Sequence, residues 1–190
     1  MGMINGEKQQ AKTDEELVKL ALADRDAFLY LVNRYQNKLF GYIRKITDAS
    51  TEDAEDILQD IFLKVYLNLN DFNTDLKFSS WIFRIAHNEV ISAHRKNKSR
   101  PLHSAAPLDE NIAESIAADF NIIKKIDEKL LADKVSAALD KIKKEYREII
   151  ILKFIEEKSY QEISDIIKKP MGTVASLMNR AKKEFKKIYE

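Results

Sequence analysis

Residues 159–187 read SYQEISDIIKKPMGTVASLMNRAKKEFKK, and this stretch decides the fold class. Ser159 and Glu162 form a capping box, each side chain facing the other residue's backbone N–H, so a short helix spans Tyr160 to Ile167. Lys168, Lys169 and Pro170 interrupt it. Gly172 and Thr173 open the next helix, with Val174, Met178 and Ala181 on one side. Ser176, Asn179 and Arg180 then lie on the side facing away from that core. Two helices joined by a short turn, the second polar and basic, match a helix-turn-helix whose second helix enters the major groove. The basic tail through Lys182, Lys183, Lys186 and Lys187 would add phosphate contacts. Spacing alone fits an ordinary helical hairpin with a solvated tail equally well.

Upstream, residues 78–100 read FSSWIFRIAHNEVISAHRKNKSR. Trp81, Ile82, Ile85 and Val90 can pack inward, while Arg84, His87, Asn88, His94, Arg95, Lys96 and Lys98 supply donors. Aromatic rings beside a cationic helix suit unstacked DNA, which needs a stacking surface and charge along its backbone. The polar loop Asn70 to Lys77 would wall a pocket for an extruded base. The competing reading puts Trp81 and Phe83 in the core, and for Trp81 it is the favoured one. His87, Asn88 and His94 suggest a metal, but no carboxylate or Cys stands at ligand spacing, so none is expected.

The rest of the chain is helix and punctuation. Thr13 with Glu16 is another capping box, and Leu17, Leu20 and Ala21 continue its stripe. A second helix runs from about Asp24 to Ile46, with Gly41 inside it. Thr51 is read as the cap of a third helix to about Leu69, its acidic first turn complementing the helix dipole. Leu58, Ile61, Phe62, Val65 and Leu69 supply its buried face. Ser79 is read as the cap of a fourth helix reaching about Lys96. Pro101 and Pro107 mark a small, polar, acidic connector. A second helical block comes after it, with Val135 to Ile142 and Glu145 to Glu157 ahead of the helix-turn-helix.

Composition agrees with an all-α protein. The 190 residues include only 4 Gly and 3 Pro, with 33% charged and 45% hydrophobic residues. The net charge of +1 hides segregation: acid collects at Glu52, Asp53, Glu55, Asp56 and Asp60, base at 95–100 and 180–187. That pattern fits one basic and one acidic partner. The absence of Cys excludes disulfides and thiolate sites and suits a cytoplasmic protein. Met1 to Lys12 has no signal-peptide core, and Ile149 to Ile155 is too short to span a bilayer, so no membrane insertion is expected.

These residues resemble the extracytoplasmic-function group of bacterial sigma factors, within the sigma-70 family. DAEDILQDIF (53–62) is similar to the family's polymerase-clamp helix, WIFRIAHN (81–88) to its minus-ten segment, and residues 146–185 to its minus-thirty-five domain. The resemblance implies two small helical domains: sigma region 2 over 13–98 and sigma region 4 over 131–190. A linker over 99–130 and a disordered 1–12 complete the organisation. It implies docking of Asp53, Glu55, Asp56, Gln59 and Asp60 on bacterial core RNA polymerase. It implies minus-ten promoter DNA contacts by Trp81, Arg84, His87, Asn88, His94, Arg95 and Lys96, with Asn88 near a flipped base. Minus-thirty-five contacts fall to Thr173, Ser176, Asn179, Arg180 and Lys183, and an anti-sigma protein is an implied partner. The acidic connector would thread toward the polymerase active site and RNA exit path.

Departures from relatives carry expectations of their own. Relatives often have Gly where Lys168 and Glu157 stand, and Pro where Lys143 stands. They often carry basic residues where this chain has Ala175 and Leu177, so a weaker or altered minus-thirty-five preference is expected. The alternatives are a stand-alone helix-turn-helix regulator, with residues 1–130 as a dimerisation or sensor module, and a nucleic-acid enzyme using Asp53, Asp56 and Asp60. The first leaves the acidic helix and the basic aromatic stretch without a role. The second needs clustered carboxylates for a metal or a nucleophile with a base, but charged residues opening a helix are more often caps and solvated surface; no Gly-rich nucleotide loop is present, and no catalytic residue and no cofactor is expected.

Overall fold

The computed structural model describes residues 11–73, 75–96, 116 and 128–189; nothing is described of the side chains of Lys96, Glu128 and Lys129. Every regular element among the described residues is helical. The helices gather into two compact units, which are described separately. One takes the chain up to Ile43 and from Thr51 through the fourth helix. The other takes Arg44–Ser50 with the C-terminal helices. The expectations for residues 1–10, Thr74 and the connector with Pro101 and Pro107 lie outside the described residues.

In the first unit α1 spans Asp14–Ala23, with Thr13 as N-cap and Glu16 completing the capping box. Asp24 ends it and caps a 3₁₀ turn, Arg25–Ala27, by accepting from the Asp26 N–H. The expected helix from Asp24 is therefore α2, Phe28–Ile46, preceded by that turn. α1 is tied to α2 by polar contacts. Asp14 accepts from Arg34 Nη1 at 2.8 Å and from the Tyr35 hydroxyl, and Arg34 Nη2 donates to the Lys12 carbonyl at 2.9 Å.

α3 spans Thr51–Leu67 and α4 spans Phe78–Lys96, and the two pack along each other. Thr51 is thus the first helical residue rather than the cap. Ser79 likewise falls inside α4, because the Lys77 carbonyl already accepts from the Ser80 and Trp81 N–H groups. Between them a 3₁₀ turn, Leu69–Asp71, leads into the loop. Leu31, Tyr35, Leu39, Tyr42, Ile43, Ile61, Val65, Phe78, Ile82 and Phe83 form the core. Leu58 and Phe62, expected to be buried, are only half-buried; Ala54 and Ile57 carry that face instead. Edge-on ring pairs, Tyr35–Phe78 at 5.5 Å and Tyr42–Phe83 at 5.2 Å, add roughly 0.5–1.5 kcal/mol each beyond area burial.

In the second unit α5 spans Glu128–Lys141 and α6 spans Lys144–Ile150, which runs into a π turn, Ile151–Ile155. α7 spans Tyr160–Ile167 and α8 Met171–Tyr189. The helix expected over Glu145 to Glu157 is therefore interrupted by one wide turn. It closes where the Lys158 N–H reaches back six residues to the Leu152 carbonyl, with Glu157 left-handed at φ 52°. Ile149, Ile150, Ile163, Ile166, Val174, Met178, Ala181 and Phe185 make the core on which α8 rests. Arg147 is buried with them, and its Nη2 donates to the Asp140 carbonyl at 2.6 Å near the end of α5.

Candidate nucleic-acid interface

The helix-turn-helix forms as the sequence dictates. Ser159 Oγ accepts from the Glu162 N–H at 3.2 Å, and Glu162 accepts from the Ser159 N–H at 2.9 Å. α7 ends at Lys168, which is left-handed (φ 51°, ψ 46°) and donates its N–H to the Ser164 carbonyl. Ser164 Oγ also donates to the Lys169 carbonyl at 2.6 Å, which fixes the turn from a second side. Pro170 then accepts from the Thr173 and Val174 N–H groups, and α8 begins at Met171. Proline suits this place, because its missing N–H would find no helical partner here.

α8 has two sharply different faces. Val174, Leu177, Met178, Ala181 and Phe185 are buried. Thr173, Ser176, Asn179, Arg180 and Lys183 are all at least partly exposed on the outward side. Their spacings of three and four residues put them on one side of a helix. All five expected residues are therefore brought together.

One expectation on this helix is corrected. Leu177 is 6% exposed and belongs to the packing face. A side chain at this position points into the unit, so the leucine removes no base contact, and only Ala175 flanks the stripe. Met171, which the sequence reading passed over, is 52% exposed at the first turn of α8. Its signal was the proline before it, which sets the helix start one residue ahead of Gly172.

The first unit divides the upstream stretch in a similar way. Trp81 is 8% exposed, its ring 5.2 Å from Phe72 and 5.7 Å from Phe78. Its place in the expected DNA-contacting set is corrected: it presents no open face for stacking. Instead it joins Phe72 and Phe78 in an aromatic cluster that anchors the loop. Beyond Phe72, Asn73, Asp75, Leu76 and Lys77 are exposed, with Asn73 Oδ1 accepting from the Asp75 N–H at 3.0 Å and Leu76 46% exposed. Along α4, Asn88, His94 and Arg95 are exposed, and Arg84 and His87 are half-buried. The side chain of Lys96 lies outside the described residues.

On α3, Glu55, Asp56, Gln59 and Asp60 are exposed and Asp53 is half-buried. Asp53, Asp56 and Asp60 line a shallow cleft with Ile57, Glu89, Ser92 and Ala93 of the same unit. Glu89 is ion-paired to Lys64 at 2.6 Å. Two leucines beyond the acids went unnoticed in the sequence. Leu63 is 56% and Leu67 65% exposed, continuing the outward row of Asp56 and Asp60 at spacings of three and four. Their being left over after the buried stripe was filled was the available signal. Among the described residues no group of three or more His, Asp or Glu is placed to hold a metal ion.

Sigma-70 region 2 matches residues 31–100, and Sigma-70, region 4 matches residues 132–185. The RNA polymerase sigma-H factor of Pseudomonas aeruginosa is 30% identical over 185 residues, covering 93% of this chain and 94% of that protein. The ECF RNA polymerase sigma factor SigW of Bacillus subtilis is 29% identical over 177 residues, covering 86% and 89%. The chain belongs to the extracytoplasmic-function group of the sigma-70 family. It is an RNA polymerase sigma factor that serves promoter-specific transcription initiation. The fold of a solved sigma factor, RpoE from Bartonella quintana in complex with the anti-sigma factor NepR, resembles that of this sigma factor. Its TM-score is 0.64 at 20% identity, over 85% of this chain and 95% of that one. No helix among the described residues of this sigma factor is long and apolar enough to cross a membrane.

Proposed function

We propose that this sigma factor divides its work among three faces. The row Asp56, Gln59, Asp60, Leu63 and Leu67 on α3, with Asp53 and Glu55, docks on core polymerase. Acid at one end and exposed leucine at the other call for a partner helix with basic and apolar patches. The exposed charges steer the encounter, and the leucines leave water on docking. The exposed residues after Phe72, together with Arg84, His87 and Asn88 of α4, receive unstacked bases of the minus-ten element. His94 and Arg95 contribute charge along the DNA backbone. Trp81 positions the residues after Phe72 from below.

The observation that carries the reading is the outward row Thr173, Ser176, Asn179, Arg180 and Lys183 on α8. A helix packed firmly on one face and polar on the other, entered through a tight turn, is what major-groove reading requires. The helix grips duplex DNA at the minus-thirty-five element. Captured bases in the upstream unit then offset the free energy of melting, with no nucleotide hydrolysis. An anti-sigma protein holding this chain silent would cover these same faces, and the factor would work in the cytoplasm beside its polymerase.

The test is promoter-dependent transcription by bacterial core polymerase, with and without the protein, on a library of genomic fragments. Discrete start sites that require the protein support the reading. Absence of both new starts and core binding would sink it. Tight binding to a palindrome without polymerase would favour a stand-alone regulator.

A further inference from the structure

Within the outward row of α8 the side chains differ in what they have left to offer. The Ser176 hydroxyl donates to the Gly172 carbonyl at 2.9 Å, so outward it presents only lone pairs. Asn179, one turn further on, makes no side-chain hydrogen bond with the other described residues. Its amide therefore keeps both donors and its acceptor for a ligand. The side chain is short, and the backbone beneath it is fixed by buried Met178 and Ala181 on either flank. A short planar amide on a fixed backbone reaches one place in the groove and cannot wander between several bases.

We propose that Asn179 is a specificity-determining residue that reads an adenine in the minus-thirty-five element. The inference rests on the major-groove role given to α8 above. Adenine shows the major groove an N7 acceptor beside an N6 donor, which complements the NH₂ and carbonyl of one amide in a single plane. Guanine shows two acceptors there, and thymine and cytosine offer no such pair, so only adenine satisfies both halves of the amide. The outward lone pairs of Ser176 favour an amino-bearing base, adenine or cytosine, one helical turn earlier. Arg180 is the neighbouring residue, about 1.5 Å on along the axis in an ideal helix, so its contacts fall within about two base pairs of the same adenine.

The experiment uses the full chain with core polymerase on a promoter that the wild type initiates from. Each base pair of the upstream element is replaced in turn by the other three. Wild-type protein should lose about 5- to 150-fold in promoter use when one particular adenine is replaced, the range for one bidentate pair. Asn179→Ala should lose that discrimination at that position alone and keep the preferences elsewhere. Replacing the same adenine by 7-deazaadenine removes N7 without disturbing pairing. It should weaken wild type and leave Asn179→Ala unaffected, because the coupling between partners vanishes once either is removed.

Three results would overturn the inference while leaving the sigma reading intact. They are an unchanged base profile for Asn179→Ala, a uniform fall across all sequences as for a phosphate contact, and lost discrimination at a base other than adenine. If the wild type initiates nowhere with core polymerase, the major-groove reading fails and this inference with it.

Discussion

The phenol of Tyr35 donates its hydrogen bond to the carboxylate of Asp14, which also accepts from Arg34 at 2.8 Å. Tyr35 is 3% exposed, so this pair pins α1 to the body of the first unit from inside. Burial, and then the nearby Asp14 carboxylate, push the Tyr35 hydroxyl well above its ordinary value of 10.0. Its neutral form is therefore the one that folding favours. The stabilisation is complete below the unfolded-state value and is lost as pH rises from about 10 toward the folded-state value. Tyr35→Phe should cost about 1–2 kcal/mol at neutral pH, below the full range for a charge-assisted bond because Asp14 keeps Arg34. Above about pH 10 the difference between the two proteins should shrink. Denaturant unfolding read by tryptophan fluorescence checks both, since the single Trp, Trp81, reports on this unit. Equal stability of the two proteins at pH 7 would contradict the pairing.

Glu157 and Lys168 are the two non-glycine residues with positive φ among those described. Each closes a helix in the left-handed conformation, where a Cβ meets the following carbonyl. Glycine at either position removes that strain, so Lys168→Gly and Glu157→Gly should each stabilise the second unit by about 0.5–1 kcal/mol. Lys169→Gly should bring no gain, because its φ is negative. Thermal melts followed by far-UV circular dichroism decide the matter. A loss of stability in Lys168→Gly would be the opposite of the expected sign.

What could be read in the sequence depends on how local each signal is. Both capping boxes, Thr13–Glu16 and Ser159–Glu162, are set by residues three apart and formed as expected. The strain at Lys168 and Glu157 was foreshadowed by glycine in relatives, because a turn's φ is dictated over a few residues. The outward row of α8 came from the phase of Val174, Met178 and Ala181. That same phase puts Leu177 inward, three residues from Val174; comparison with basic residues in relatives obscured it. For Trp81 the local signal left two readings, and the favoured one, core, is the one the structure bears out. Whether an aromatic ring on a basic helix is stacking surface or core depends on what covers it, and here Phe72 comes from beyond the loop. Leu63 and Leu67 were legible only by subtraction, since a filled apolar stripe leaves its surplus leucines outside.

Leu177 yields a prediction opposite to its expected role. Leu177→Ala should destabilise the second unit by about 2–4 kcal/mol through the cavity it leaves on the face it shares with Val174, Met178 and Ala181. Leu177→Arg, which restores the basic residue of many relatives, should destabilise the unit rather than strengthen DNA binding, because its guanidinium enters a packed face. Thermal melts of the two variants, with promoter binding by the assembled polymerase measured below the melting range, separate the effects. Stronger promoter binding by Leu177→Arg at unchanged stability would return this position to the DNA face.

Arg180 and Lys183 stand one turn apart on the outward row of α8 and should fail differently when removed. Arginine offers a fork of donors that matches the two acceptors of guanine, so Arg180→Ala should lose about 1–3 kcal/mol on the preferred promoter and relax selectivity at one position. Lysine is a point charge at the end of a flexible stem, suited to a phosphate, which carries no sequence information. Lys183→Ala should weaken binding to all promoters alike and reduce the salt slope of log K by about 0.9, one counterion fewer released. Titrating fluorescent promoter fragments with the assembled polymerase at several salt concentrations gives both quantities at once. The two residues share a helix and a face, so a common folding defect would move both variants together. A sequence-dependent loss in Lys183→Ala, or a change of slope without a change of selectivity in Arg180→Ala, would exchange their roles.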